Sequence, residues 1–235
     1  MPNNPWPPAR QSEQLFYSQS NPPKGSLLPH LPIQMNFPDR QDPPLFRSLG
    51  NEVKIWPKAK IVNGANISIG HRVIIDDFVL IIGGEDTRIG NFVHIASFTS
   101  ITGGGRLVIG NFAGISSGVR IYTGNEQYSG ECMTNPTVPP PFRIPIRGEV
   151  TIGRHVIIGA NSVILPGVTI GEGAVVGACS LVTKDCQPWS VNFGAPARRI
   201  KARPSAQILR LEQELLKKFS AADGSFVSLP DAPQK

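Results

Sequence analysis

The stretch "VTIGRHVIIGANSVILPGVTIGEGAVVGACSLVTKD" (Val150–Asp185) brings an aliphatic to every sixth position, at Ile152, Ile158, Ile164, Ile170, Val176 and Val182. An amphipathic helix would space them three or four apart, and a half-buried strand would place them at every second residue. A step of six fits neither. It suits a chain of short strands, each pointing one aliphatic inward, with the residues between them turning a corner. Three such hexapeptides close a triangular coil, and stacked coils pile their aliphatics into one buried column. Repetition at a fixed period settles the architecture ahead of local propensity: the chain is expected to be an all-β parallel β-helix.

The series extends upstream. Ile55 and Ile61 lead to Ile69, Ile75 and Ile81, then Ile89, Ile95 and Ile101, then Ile109, Ile115 and Ile121. Steps are six inside each group and eight between groups, so the early coils run 20 residues and the later ones 18. "IGNF" occurs at Ile89 and again at Ile109, one coil apart. Glycine or alanine after the aliphatic ("IG", "VG", "IA") suits places where backbones crowd or φ turns positive.

A chain of 235 residues has room for one sizeable domain plus tails, and its 24 glycines and 23 prolines favour a turn-rich β protein. Cys132, Cys179 and Cys186 form neither a disulfide framework nor a CxxC zinc pattern, so reduced thiols are expected. "MPNNPWPPARQ" lacks the pattern of a signal peptide, and no apolar run is long enough for a membrane helix. The expectation is a soluble cytoplasmic protein without membrane insertion. The net charge of +6 is spread thinly, with "RRIKAR" (Arg198–Arg203) its densest patch. That argues against a nucleic-acid partner and is compatible with a small phosphorylated ligand.

Eleven prolines fall in residues 1–44, marking residues 1–50 as an irregular arm whose apolar pieces are expected to dock on the main body. The β-helix is assigned to 51–187. Residues 188–222 form a C-terminal segment ending in an amphipathic helix that opens at Pro204-Ser205, with a stripe of Ile208, Leu211, Leu215 and Phe219. Residues 223–235 are expected to be a flexible tail. One interruption breaks the repeat: Ile121 to Ile152 spans 31 residues where eight would serve. The surplus in 122–149 fits only as a loop ejected from a corner, and long ejected loops commonly build functional sites.

These residues carry a resemblance. The hexapeptide repeat from Val53 to Asp185 resembles the left-handed β-helix family, from which the handedness is inferred. The loop, "GACSLVTKD" and "FGAPARRIK" together are similar to the acetyl-CoA-dependent sugar O-acetyltransferases. The galactoside and maltose acetyltransferases are among these, and the acyltransferases of surface-polysaccharide biosynthesis are closer still. The resemblance implies transfer of an acetyl group from acetyl-CoA to a hydroxyl or amine of a sugar or nucleotide-linked sugar, by a homotrimer whose grooves lie between subunits. It places the acyl-CoA contacts at Ala160, Ala178, Thr183, Lys184, Arg198 and Lys201. Small residues there leave a groove for a thin pantetheine arm, and Arg198 and Lys201 supply charge for phosphates.

The family's general base is a histidine after a "TG" pair in the ejected loop. Here "YTGNEQYSG" puts Asn125 in that place. Three alternatives stand. Glu126 could serve if partial burial raised its pKa; His94 could reach the site from an earlier coil or a neighbouring subunit; or the acceptor is an amine that needs little help. Asn125 or backbone N–H groups would stabilise the oxyanion. A non-enzymatic trimeric scaffold or CoA-binding protein is the rival reading. Carbonic anhydrases share the repeat, but His30, His71, His94 and His155 lack the zinc spacing, and no metal is expected.

Overall fold

A computed structural model describes residues 45–223, with side chains described as far as Lys218. Residues 1–44 of the expected arm, the tail beyond Asp223 and the side chain of Phe219 lie outside the described residues. Ser48–Leu49, expected within the irregular arm, instead forms a strand beside Ser68 and Ile69, so the stack begins earlier than residue 51.

Among these residues the chain winds three parallel sheets into a prism. The first sheet runs from Ser48–Leu49 to Thr169–Ile170, the second from Lys54–Ile55 to Ala197–Ala202, and the third from Lys60–Val62 to Leu181–Val182. The register is the one that the isoleucine spacing demands. Ile75 lies beside Ile55 and Ile95, Ile115 beside Ile95 and Ile158, and Ile158 beside Val176. Ile69, Ile75, Ile81, Ile89, Ile95, Ile109, Ile115, Ile121, Ile152 and Ile158 are all but sealed from solvent. Each such side chain contributes roughly 1.5–3 kcal/mol of hydrophobic stabilisation, so the column holds the prism together.

The interruption is absorbed without disturbing the stack. Leu107, Val108 and Ile109 pair directly with Val150, Thr151 and Ile152, as if the residues between were absent. The ejected segment leaves the corner between the third and first sheets on a short antiparallel ribbon, Gly124–Asn125 against Ile146–Arg147.

Two further features differ from the sequence expectation. The column does not stop at Asp185: Ser190–Gly194 adds a rung beside Val175 and Val176, and Ala197–Ala202 closes it as an antiparallel strand. The glycines after the aliphatics serve close approach, one of the two uses expected of them. A Cβ on Gly70 would lie 2.8 Å from a Gly90 backbone atom, and one on Gly159 2.4 Å from the Ala178 nitrogen. The left-handed corner positions are instead filled by Arg72, Phe92, Phe112 and His155 on one edge, and by Phe78, Phe98, Asn161 and Cys179 on another. These rings stack coil on coil. Phe92, Phe112 and His155 follow at 4.9 Å spacing, and Phe78 lies parallel to Phe98 at 5.2 Å.

The helix, Ala206–Asp223, begins where its sequence cues place it. Ile208 and Leu215 are half-buried, but Leu211 is half exposed. Charge anchors this helix as much as its stripe does. The side chain of Glu212 is only 8% exposed, accepts a hydrogen bond from His155 Nε2 at 3.0 Å and is ion-paired with Arg154 at 3.1 Å.

Candidate functional site

The outward residues of the second sheet form a ladder: Lys54, Ile74, His94, Gly114, Ile157, Val175 and Val191. His94 stands midway, its side chain about half exposed, and its Nε2 lies 3.0 Å from Asp76 Oδ2. A carboxylate only accepts, so Nε2 carries a proton, and in the neutral ring Nδ1 keeps its lone pair. That is the arrangement of an oriented imidazole base, with the carboxylate fixing the tautomer. Exposed Ile74, Phe78, Phe98 and Ile157 belong to the same sheet and its neighbouring edge.

Glu126 sits elsewhere, at the neck of the ejected loop. Arg143 Nε lies 3.0 and 2.9 Å from its two carboxylate oxygens. This hydrogen bond from Arg143 holds the Glu126 carboxyl below its ordinary range, outweighing the opposing effect of desolvation. A base needs the reverse, a carboxyl raised towards neutrality. Asn125 lies beside it at the ribbon, opposite Ile146.

The loop issues from the corner facing away from the second sheet. One chain therefore presents Asn125 and Glu126 on one side of the prism and His94 on the other. The three candidates do not converge within a single copy.

The expected CoA contacts divide into two groups. Ala160 and Ala178 occupy the edge that follows the second sheet, where Cys179 N donates to Ala160 O at 2.8 Å. Phe193 lies over Gly177, whose Cβ, if it had one, would come 2.3 Å from the ring. Arg198 faces Phe193 across the closing hairpin, and Lys201 faces Val191. Thr183 and Lys184 are exposed at the far end of Leu181–Val182, a sheet's width from Ala178. Arg198, Lys201 and Lys184 are exposed, and no ion pair is formed by them among the described residues.

A separate cavity of about 420 Å³ lies under the C-terminal helix, lined by Phe112, His155, Ile208, Leu211, Glu212 and Leu215 among others, away from His94 and the loop. Among the described residues no group of three or more His, Cys, Asp or Glu is placed to hold a metal ion, and no helix is long and apolar enough to cross a membrane. Sequence reasoning missed Asp76. The signal was there, since Asp76 follows Ile75, which is one 20-residue coil before Ile95 and its neighbour His94.

Comparisons with known proteins agree with this architecture. Residues 149–184 match the family described as bacterial transferase hexapeptide (six repeats). The chain is 47% identical over 168 residues to a dTDP-4-amino-4,6-dideoxy-D-glucose acyltransferase of Escherichia coli, covering 71% of this chain and 87% of that one. A variant of AntD, an N-acyltransferase from Bacillus cereus solved with dTDP-4-amino-4,6-dideoxyglucose and coenzyme A, superposes with a TM-score of 0.70 at 41% identity, covering 74% of this chain and 91% of that one. A second AntD structure, with dTDP and 3-hydroxybutyryl-CoA, matches at the same TM-score of 0.70 and identity of 41%, over 74% and 92% of the two chains. The fold is thus the parallel β-helix expected from the repeat, with the left hand expected from the family resemblance. With its repeat, its ejected loop and a relative matched over most of both chains, the protein belongs to the hexapeptide-repeat acyltransferase family.

Proposed function

We propose that the protein is an N-acyltransferase that moves an acyl group, acetyl in the simplest case, from acyl-CoA to the amine of a nucleotide-linked amino sugar. The observation that carries this is the 47% identity to a dTDP-amino-sugar acyltransferase across 71% of the chain. The chemistry of the loop supports it. Asn125 replaces the histidine that resemblance to O-acetyltransferases would require, and the carboxylate of Glu126 is committed to Arg143. A hydroxyl acceptor needs a strong base at that place; an amine, partly deprotonated near neutrality, does not.

In this reading the amine nitrogen attacks the thioester carbonyl carbon. The C–N bond forms, the C–S bond breaks, and CoA leaves as the thiolate. The proton shed by nitrogen passes to Nδ1 of His94, held in orientation by Asp76, and then to the thiolate. Asn125 assists by hydrogen-bonding the sugar or the oxyanion. Arg198 and Lys201 attract the CoA phosphates, while Ala160 and Ala178 give its arm a low wall. Thr183 and Lys184 contribute from the adjoining face.

Because His94 and the loop face opposite ways in one chain, the complete site needs a second copy. We assign the assembly as a homotrimer in which the loop of one subunit covers the second sheet of its neighbour. The exposed Phe78 and Phe98, 50% and 59% accessible, are then buried between copies. The acylated sugar would go on to a glycosyl-transferring step of surface-glycan assembly.

The test is thiol release from acetyl-CoA with dTDP-4-amino-4,6-dideoxyglucose against the matching 4-hydroxy sugar nucleotide. Faster turnover of the amine by tenfold or more supports N-acylation. Equal or faster turnover of the hydroxyl overturns it, and CoA binding without turnover on either favours the scaffold reading.

A further inference from the structure

Gly114 is the one member of the second sheet's outward ladder without a side chain, and it lies in register between His94 and Ile157. Neither of the usual reasons for glycine applies. Its φ is not among the left-handed values that glycine relieves. Nor does packing exclude a side chain: a Cβ built on Gly114 meets nothing within 4 Å, whereas one on Gly90 would lie 2.6 Å from Asn111 Oδ1 and one on Gly110 2.6 Å from the Arg154 nitrogen. Glycine weakens a strand by its flexibility, and in a strand it marks a place where a ligand or another backbone comes close.

The missing side chain opens a notch. The rungs of His94 and Ile157 are two strand spacings apart, about 10 Å from backbone to backbone. The upper wall is the imidazole and the lower wall an isoleucine that is 42% exposed. No charged group of the ladder lies between them. A space of this kind, apolar on one side and beside the proposed proton acceptor, suits a short hydrocarbon chain attached to a carbonyl under attack. The methyl of an acetyl group would leave it largely empty.

We infer that Gly114 sets acyl-chain selectivity: its bare backbone beside His94 receives the tail of an acyl group longer than acetyl. This rests on the acyl-CoA reading above and names the donor class that the reading leaves open. A partner subunit's backbone is the competing occupant of the notch, and the experiment separates the two.

Wild type, Gly114→Ala and Gly114→Val are assayed with acetyl-, propionyl- and butyryl-CoA at saturating amino-sugar acceptor, with solution mass measured in parallel. The quantity read is the butyryl-to-acetyl ratio of kcat/KM, which is insensitive to a fraction of misfolded protein. The expected result is a wild-type ratio of one or more, a fall of at least tenfold in Gly114→Val, and an intermediate value in Gly114→Ala. A ratio within twofold of wild type in both variants overturns the inference while leaving the transferase reading intact. So does a change in solution mass with equal losses on all donors, which would assign the notch to a neighbouring copy. A wild type inactive with every acyl-CoA removes both readings together.

Discussion

Glu126 and Arg143, 17 residues apart in sequence, clasp each other at the neck of the ejected loop, with Nε 3.0 and 2.9 Å from the two carboxylate oxygens. Around them lie Met133, Phe142, Ile144 and Ile146, all well exposed. Within the loop, then, a charged clasp supplies closure where apolar burial does not.

That clasp makes loop order dependent on pH. Arg143 depresses the Glu126 pKa below its ordinary 4.5. Its contribution is therefore present above that value and lost as pH falls through the depressed one. The protection of residues 127–145 against hydrogen exchange, corrected for the intrinsic rate at each pH, should fall on acidification below about pH 4.5, while the prism stays protected. Glu126→Gln should show lower protection than wild type at neutral pH, with no further fall on acidification. Equal protection in both proteins at pH 7 would contradict the clasp.

The His94–Asp76 pair makes a kinetic prediction. His94→Asn should lower kcat by about 10²-fold or more, with KM for acyl-CoA nearly unchanged, because the imidazole acts in proton transfer rather than in binding. Asp76→Asn should cost less, about tenfold, by loosening ring orientation. If both variants keep wild-type kcat, the amine loses its proton without them.

Glu212 gives a stability prediction. It joins the C-terminal helix to Arg154 and His155 while almost fully buried. Glu212→Ala leaves their donors short of an acceptor and should destabilise by about 1–3 kcal/mol in urea denaturation. Arg154 retains Glu172 at 3.1 Å, which limits the loss. Glu214→Ala, whose side chain is mostly exposed, should change stability by less than about 0.5 kcal/mol.

In the core, Ile115→Ala removes a fully buried rung between Ile95 and Ile158. The expected cost is about 2–5 kcal/mol, since stacked coils on both sides restrict collapse into the void. Circular dichroism against temperature reads it directly.

The isoleucine column was legible because each coil buries its aliphatic at a fixed arc length, so period alone carries register. The same arithmetic would have paired Phe78 with Phe98 and Phe92 with Phe112, each one 20-residue coil apart. The extra rung at Ser190–Gly194 escaped notice because "SVNFG" buries Ser190 and Asn192 in place of aliphatics. Asn192 there donates to Ser190 Oγ at 2.9 Å, satisfying its polarity internally. Nothing local in the helix sequence announces that Glu212 meets a histidine 57 residues earlier. Glu126 was a candidate base until Arg143 stood beside it, a contact made by loop folding that no spacing rule encodes. The proposed CoA contacts came from motif resemblance, and their coordinates alone do not gather Thr183 and Lys184 with Ala178.

Leu107 to Ile109 meet Val150 to Ile152 as though nothing intervened. The interrupting segment is therefore a cassette, tied to the scaffold, among the described residues, only near its two ends, where Thr123 bonds Thr102 and Gly105 and Arg147 pairs with Glu85. Residues 127–145 thus hang outside the prism's ladders, and that stretch can be rewritten without cutting a rung.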